Sequence, residues 1–144
     1  MKKNSWAVFM IVIILTLTAC RSGTPAPVAS DPSGTATVDI LYLNHPPVLP
    51  VLDQVAALVE PYGDKVKVTR YDVDTDEGAA FAKMVGITGH DPLAIFVNGS
   101  QTFNLDSRVV TFNSFPQGAG TGMVPDGAWT IDDLDAVLKI VTGQ

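Results

Sequence analysis

The side chains in this sequence that suit metal chemistry are two histidines and a neighbouring carboxylate. His45 and His90 are the only histidines, and Asp91 directly follows the second one. Imidazole nitrogens bind Zn²⁺ and Cu²⁺, and a carboxylate can complete a three-ligand site. His45, His90 and Asp91 are therefore a candidate copper or zinc site, provided that the fold brings them together. The alternative is that both histidines are exposed on separate loops and that the protein has no metal or other cofactor.

Thiol chemistry has a single candidate, because Cys20 is the only cysteine in the chain. Dithiol exchange needs an attacking thiolate and a second, resolving thiol. The sequence also shows no Ser-His-Asp arrangement and no paired carboxylates placed for acid–base catalysis. We therefore expect no dithiol oxidoreductase activity, and we rank enzymes last among the function classes.

Cys20 follows a segment with the features of a bacterial export signal. Lys2 and Lys3 are positively charged, and residues 6–17 form an almost uninterrupted apolar run. That run is shorter than the helix of about 20 apolar residues that spans a membrane, and the whole pattern is typical of a secretory signal peptide. Residues 17–20 read Leu-Thr-Ala-Cys, which resembles the lipobox of bacterial lipoproteins. The resemblance implies lipidation of Cys20; the alternative is an uncleaved anchor with an incidental cysteine.

Cleavage before Cys20 divides the chain into a signal peptide (1–19), a lipid-anchored tether (20–36) and a folded domain (37–144). The tether is rich in Pro, Gly, Ser and Ala, which is typical of a flexible linker. Cleavage removes two of the nine basic residues and no acidic one, so seven remain against 15 and the formal net charge is −8. Such an acidic chain is not expected to bind nucleic acid or anionic lipid. We expect membrane attachment through the lipid alone, with the domain in the cell envelope, outside the cytoplasm.

Hydrophobic periodicity predicts an α/β domain with a mixed sheet. Asn98-Gly99 is a hairpin signal, so we expect 101–105 to be the return strand of 93–97. A β-α-β unit implies parallel pairing, whereas the hairpin adds an antiparallel pair. The predicted order is β-α-β-α-β-β-(loop)-α, with helices on both faces of the sheet. The strands are expected at 37–43, 65–73, 93–97, 101–105 and, more briefly, 108–112, and the helices at 48–60, at 75–84 and after Thr130.

Residues 37–144 resemble the thioredoxin-like family over nearly their whole length, and three segments carry the resemblance. Residues 50–55 resemble the family's first helix with its proline, and residues 71–74 resemble the second strand of the motif. Residues 85–99 contain Val-Gly-Ile-Thr-Gly, Pro92 and an apolar strand before Asn-Gly, and they resemble the segment that carries the family's cis-proline. The resemblance implies a thioredoxin-like fold in which Pro92 is cis and faces the active-site corner.

The same resemblance implies a corner where the two histidine loops are neighbours. The family's redox enzymes have Cys-x-x-Cys here, whereas residues 44–48 read Asn-His-Pro-Pro-Val. The resemblance therefore implies the fold without the oxidoreductase activity, and it leaves the corner to binding. The candidate binding residues are Asn44, His45, His90, Asp91 and Pro92.

A long glycine-rich loop at 114–128 precedes the last predicted helix. Phe115, Met123 and Trp129 are large apolar residues in or next to it. Long loops in compact domains are often functional, so these residues are a candidate surface for a protein or peptide partner. The alternative is that they fold back over the sheet. The sequence thus favours a redox-inactive binding or scaffold module, with metal binding at the corner as the alternative.

Overall fold

A computed structural model describes residues 34–89 and 91–144. The predicted signal peptide, Cys20 and the tether up to residue 33 lie outside the described residues, and so does His90. Within the two described ranges, no helix is long and apolar enough to cross a membrane. The elements are β1 (Ala36–Tyr42), α1 (Leu49–Val59), a 3₁₀ helix (Glu60–Lys65), β2 (Val66–Asp72), α2 (Asp76–Met84), β3 (Leu93–Val97), β4 (Thr102–Leu105), β5 (Arg108–Thr111) and α3 (Ile131–Thr142).

The central strand of the main sheet is β1. It pairs in parallel with β2 along its whole length and antiparallel with β3, which gives the order β2–β1–β3. The parallel neighbour follows from the helical crossover through α1, since two parallel strands cannot be joined by a tight turn. The prediction of a mixed α/β fold with a mixed sheet is therefore confirmed.

Two separate hydrophobic cores lie on the two faces of this sheet. The large core packs α1 and α3 against the face that carries Val38 and Ile40, while the small core packs Phe81 of α2 against Leu41 and Phe96. This division follows from the alternation of side chains along a strand. Helices cover both faces, as the sequence predicted.

The Asn-Gly turn forms, but the strand after it pairs differently from the prediction. Asn98 and Gly99 both have positive φ values, 49° and 76°, as this kind of turn requires. Only Ser100 bridges back to β3, whereas β4 pairs antiparallel with β5. Residues 112–114 take the remaining edge of β3 instead: the Ile95 amide donates to the Phe112 carbonyl over 3.0 Å. The expected pairing of 101–105 with 93–97 is therefore wrong, because a later segment occupies that edge.

The last two helices begin at threonine caps. Thr75 Oγ1 accepts a hydrogen bond from the Gly78 amide over 3.1 Å. Thr130 and Asp133 form a reciprocal capping box, in which each side chain accepts from the other residue's amide. Arg108 of β5 pairs with the same Asp133 carboxylate, so the capping box also attaches the β4–β5 hairpin to α3.

Candidate functional site

The end of β1 and the segment before β3 meet at one corner of the sheet. The Leu43 amide donates to the Pro92 carbonyl over 3.0 Å. His45 then opens the turn into α1: its amide donates to the Leu43 carbonyl and its carbonyl accepts from the Val48 amide. The structure thereby brings His45 and Pro92 to the same corner.

An apolar groove of about 280 Å³ opens at this corner. On one side it is lined by the β1–α1 turn and the start of β3, which contribute Leu43, His45, Pro47, Val48 and Pro92. The other side comes from the 114–128 loop. We call this cavity the apolar groove. Its two sides are the two regions that the sequence singled out for partner binding.

The 114–128 loop is anchored at its base by aromatic residues of the large core. Phe115 is 1% exposed and Trp129 is fully buried. The Trp129 indole donates to the Asn113 carbonyl over 3.0 Å, and the Gly127 amide donates to the Phe115 carbonyl over 2.6 Å. The prediction that Phe115 and Trp129 form an exposed partner surface is therefore wrong, because both side chains anchor the loop. Phe115 also lines the apolar groove.

The tip of the loop is shaped by a carboxylate and a tight turn. Asp126 accepts hydrogen bonds from the Gly118 and Gly120 amides over 2.9 and 2.5 Å. A Cβ on Gly120 would clash with the same carboxylate and would lie 2.9 Å from the Asp126 backbone nitrogen, so a side chain there would require the turn to shift. Thr121 and Val124 then close a turn through mutual backbone hydrogen bonds. The glycine-rich segment therefore has a fixed conformation set by Asp126.

Met123 is the residue that this turn presents to solvent. The residue is 94% exposed, more than any other large apolar residue that the structure describes as exposed. It also lines the apolar groove, together with Thr121 and Val124. Of the three residues expected at a partner surface, Met123 alone is accessible.

The three predicted metal ligands are not brought to one cavity as far as the structure describes them. His45 lines the apolar groove, whereas Asp91 lines a different cavity next to α2. His90 lies outside the described residues. Among residues 34–89 and 91–144, no group of three or more His, Cys, Asp or Glu side chains could hold a metal ion. The copper or zinc site that includes His90 stays a prediction.

Pro92 and Asn44 are two further candidate binding residues of the corner. No peptide bond within the described ranges is cis, so the expectation that Pro92 is cis is wrong. Asn44 donates from its side-chain amide to the Asp72 carboxylate over 3.1 Å. Asp72 also accepts from the Asp74 amide over 3.0 Å. Asn44 therefore ties the β1–α1 turn to the end of β2, which is a structural role.

A second cavity, of about 430 Å³, lies between α2 and the ends of β1 and β2. Leu43 lines both this cavity and the apolar groove, so the two openings are neighbours. Asp74, Lys83 and Asp91 add charged groups to its lining. Sequence reasoning did not find this cavity, because its lining comes from four separated segments with no shared motif.

Two tyrosines with shifted pKa values lie on opposite faces of the sheet. Burial, followed by the hydrogen bond from its hydroxyl to Asp135, raises the pKa of Tyr62 to about 12. Hydrogen bonds from Lys139 and Tyr62 lower the pKa of Asp135. On the other face, burial and the nearby charge of Asp39 raise the pKa of Tyr71. None of these residues lines the apolar groove.

Comparisons with models of protein families, with curated proteins and with solved structures found no match to this chain. The described residues themselves therefore characterise the domain. They form a mixed α/β domain with an apolar groove between a turn at the sheet corner and an ordered, methionine-tipped loop.

Proposed function

We propose that this chain is an exported lipoprotein whose domain binds an apolar segment of a protein or peptide in the apolar groove. In this proposal Cys20 carries the lipid, residues 20–36 form the tether, and residues 37–144 form a redox-inactive, thioredoxin-like domain. The export signal and the lipobox resemblance support the anchoring. The groove supports the binding.

The observation that carries the proposal is an apolar groove with a presented side chain at its rim. Single exposed apolar residues are common on protein surfaces, but of the five large apolar residues described as exposed, Met123 is the one that lines the apolar groove. The turn that Thr121 and Val124 close leaves Met123 94% exposed. The volume of about 280 Å³ is at the lower end for small-molecule pockets. It suits one or two side chains of a peptide.

The charges near the groove indicate which residues should flank the apolar segment of the partner. The groove lining contains no carboxylate and no lysine or arginine. Asp74 and Asp91 line the adjoining cavity together with Lys83, and Asp72 accepts a hydrogen bond from Asn44, the residue before His45. The chain as a whole is acidic, with a formal net charge of −6 before any cleavage. The best partner is therefore an apolar residue flanked by basic ones, since complementary charge favours encounter and orientation.

The thioredoxin-like part of the proposal is supported by the arrangement of elements around the corner. β1 leads directly into the turn that opens α1, and helices cover both faces of the sheet. The described residues contain no cysteine, and the chain has only Cys20. Dithiol exchange would need two thiols, so binding is the function left to the corner.

Peptide binding can be tested with two short peptides that share a central leucine. One has lysines on both sides of the leucine and the other has glutamates. In ¹⁵N NMR titrations, we expect the lysine peptide to shift the amide signals of residues 43–45, 48, 93, 115 and 117–124, with at least about tenfold higher affinity than the glutamate peptide. Met123→Lys should weaken that binding about tenfold, because it places a charge at the apolar rim.

The matched control for this variant is Ile140→Lys. Ile140 is 68% exposed on α3 and does not line the groove, so the same substitution there should change the affinity less than twofold. Absence of groove shifts with either peptide would refute the binding proposal. Equal losses in the two lysine variants would show that net charge, and not the groove, determines binding.

Anchoring is tested separately through Cys20. In a bacterial host we expect the mature protein to begin at Cys20, to carry a diacylglyceryl group by mass spectrometry and to fractionate with membranes. Cys20→Ser should abolish the lipid mass and release the chain from the membrane. A lipid-free mature protein, or membrane retention of the serine variant, would refute the anchoring while leaving groove binding untouched.

A further inference from the structure

We infer that Met123 is an oxidative modification site, at which a hydroperoxide converts the thioether to a sulfoxide and so weakens apolar binding in the groove. This inference rests on the proposed binding function. Five large apolar residues are described as exposed: Leu49, Met84, Val109, Met123 and Ile140. Of these, only Met123 lines the apolar groove.

Accessibility favours reaction at this sulfur. Met123 is 94% exposed, at a turn whose hydrogen bonds hold it away from the large core. The susceptibility of sulfur side chains to oxidation rises with exposure. The described residues hold no cysteine that would consume the oxidant first, and the only cysteine of the chain is Cys20. The two sulfur atoms of the described residues are those of Met84 and Met123.

The chemical step is a two-electron oxygen transfer. The sulfur lone pair attacks the terminal oxygen of the hydroperoxide, an S–O bond forms and the O–O bond breaks. With hydrogen peroxide, the departing oxygen keeps its own proton, takes the proton of the transferred oxygen and leaves as water, so that sulfur is oxidised by two electrons and the peroxide is reduced by two. The protein gains one oxygen atom and neither gains nor loses a proton. Methionine sulfoxide reductases reverse the step.

Oxidation changes the groove because the sulfoxide is polar and the lining is mainly aliphatic. A ligand that covers the sulfoxide oxygen removes its water, and the unpaired polar group then lowers the affinity. His45 and Thr121 are the polar side chains in the lining. The Thr121 hydroxyl already accepts from the Val124 amide over 3.2 Å, and its proton can satisfy the sulfoxide only in part. We therefore expect an affinity loss of about tenfold.

Met84 provides the matched control. It is 73% exposed, at the end of α2, and it lines neither the apolar groove nor the cavity beside α2. Both methionines should therefore react with peroxide, but only the oxidation of Met123 should alter the groove. Met84→Leu leaves Met123 as the one oxidisable methionine of the domain, and Met123→Leu leaves Met84.

The experiment uses the chain from residue 20 onward with Cys20→Ser and with ¹³C-methyl methionine, so that Met84 and Met123 give the two methionine signals. The probe is the neutral apolar dye N-phenyl-1-naphthylamine, followed by fluorescence. After hydrogen peroxide, we expect Met84→Leu to bind the dye about tenfold more weakly than before. Met123→Leu should show the same affinity before and after oxidation, within twofold. Sulfoxide reductase should restore dye binding to oxidised Met84→Leu.

The outcomes separate the inference from the function on which it rests. If the reduced protein does not bind the dye in the groove, apolar binding and the inference are both refuted. If the reduced protein binds but oxidised Met84→Leu binds equally well, the inference alone is refuted. An equal loss in oxidised Met123→Leu also overturns it, because the effect would then arise at Met84. A Met123 methyl signal that persists in peroxide while the Met84 signal shifts would also overturn the inference.

Discussion

The two faces of the sheet differ in how many apolar residues they bury and in which cavity lies beside them. On the face of α1 and α3, 21 of the described residues form the large core, including Phe112, Phe115 and Trp129. On the face of α2, the small core has four: Leu41, Phe81, Ala94 and Phe96. The apolar groove lies beside the large core, since Val48 and Phe115 belong to both.

This difference shows what allows the 114–128 loop to present an exposed methionine. The aromatic residues at the base of the loop belong to the large core, so their burial stabilises the loop as well as the fold. With its base fixed in this way, the tip can leave Met123 in solvent without unfolding. On the α2 face, the part of the chain that the structure describes shows no loop anchored by buried aromatic residues in this way, and the cavity there is lined mainly by aliphatic and charged residues.

The largest expected effect is the loss of Trp129 from the large core. Its indole is fully buried, meets Phe112 edge to face with ring centroids 5.3 Å apart, and donates to the Asn113 carbonyl. We expect Trp129→Ala to lower the free energy of unfolding by about 4 kcal/mol, measured by urea denaturation. The loop should also lose its fixed conformation, seen as averaged NMR signals for residues 116–126.

Trp129→Phe is the control for this prediction, because it keeps an aromatic ring and removes the hydrogen bond. We expect it to cost about half as much as Trp129→Ala. Intact loop signals in Trp129→Ala would contradict the role of the large core in fixing the loop.

The corresponding change on the other face is Phe81→Ala. Phe81 stacks on Tyr71 with centroids 4.0 Å apart and meets Phe96 edge to face at 5.7 Å. It is 8% exposed and has few buried neighbours, so we expect a loss of about 2–3 kcal/mol in urea denaturation, smaller than that of Trp129→Ala. The groove should be unaffected, with unchanged signals for residues 115–124. A larger loss than for Trp129→Ala would reverse the ranking of the two faces.

The sequence predicted the elements of both faces because their periodicity is local. The strands at β1, β2 and β3 and the three helices lie within two residues of the expected bounds at most ends. Thr75 and Thr130 cap the helices that begin directly after them. These features depend on neighbours a few residues apart, and such neighbours are visible in the sequence.

The errors concern contacts between distant residues. The pairing of 101–105 depended on which segment reaches the free edge of β3, and residues 112–114 reach it. Likewise, Phe115, Met123 and Trp129 are all large and apolar, and nothing local distinguishes the two that enter the core. The groove itself was not predicted, and its two sides were only separate candidate regions, because its lining combines the β1–α1 turn with a loop about 70 residues later.

A smaller effect is expected at the capping box that attaches α3 to β5 on the large-core face. Asp133 is 6% exposed, caps α3 with Thr130 and pairs with Arg108. We expect Asp133→Asn to lower the free energy of unfolding by about 2 kcal/mol, because a charge-assisted bond and part of the cap are lost. Asp132→Asn is the control: Asp132 is exposed in the same helical turn and should cost less than about 0.5 kcal/mol. Equal losses would show that only the helix dipole is involved.

The smallest effect compares the two tyrosines, one on each face. Tyr62 donates its hydroxyl proton to Asp135 over 2.6 Å, whereas Tyr71 is held by stacking on Phe81. We expect Tyr62→Phe to cost about 1 kcal/mol at pH 7 and Tyr71→Phe distinctly less, measured by urea denaturation.

The pH dependence distinguishes a broken Tyr62–Asp135 bond from a simple packing change. The lowered pKa of Asp135 means that its ionised form is favoured in the folded protein, so this stabilisation is present above about pH 4 and is lost as the pH falls through the folded value. The cost of Tyr62→Phe should therefore decrease below pH 4. On the alkaline side, the pKa of Tyr62 is raised from 10.0 to about 12. Its protonated form thus stabilises the fold below pH 10, and that contribution is lost as the pH rises towards 12. A pH-independent cost from pH 3 to pH 7 would contradict the bond and leave Tyr62 as an apolar member of the large core.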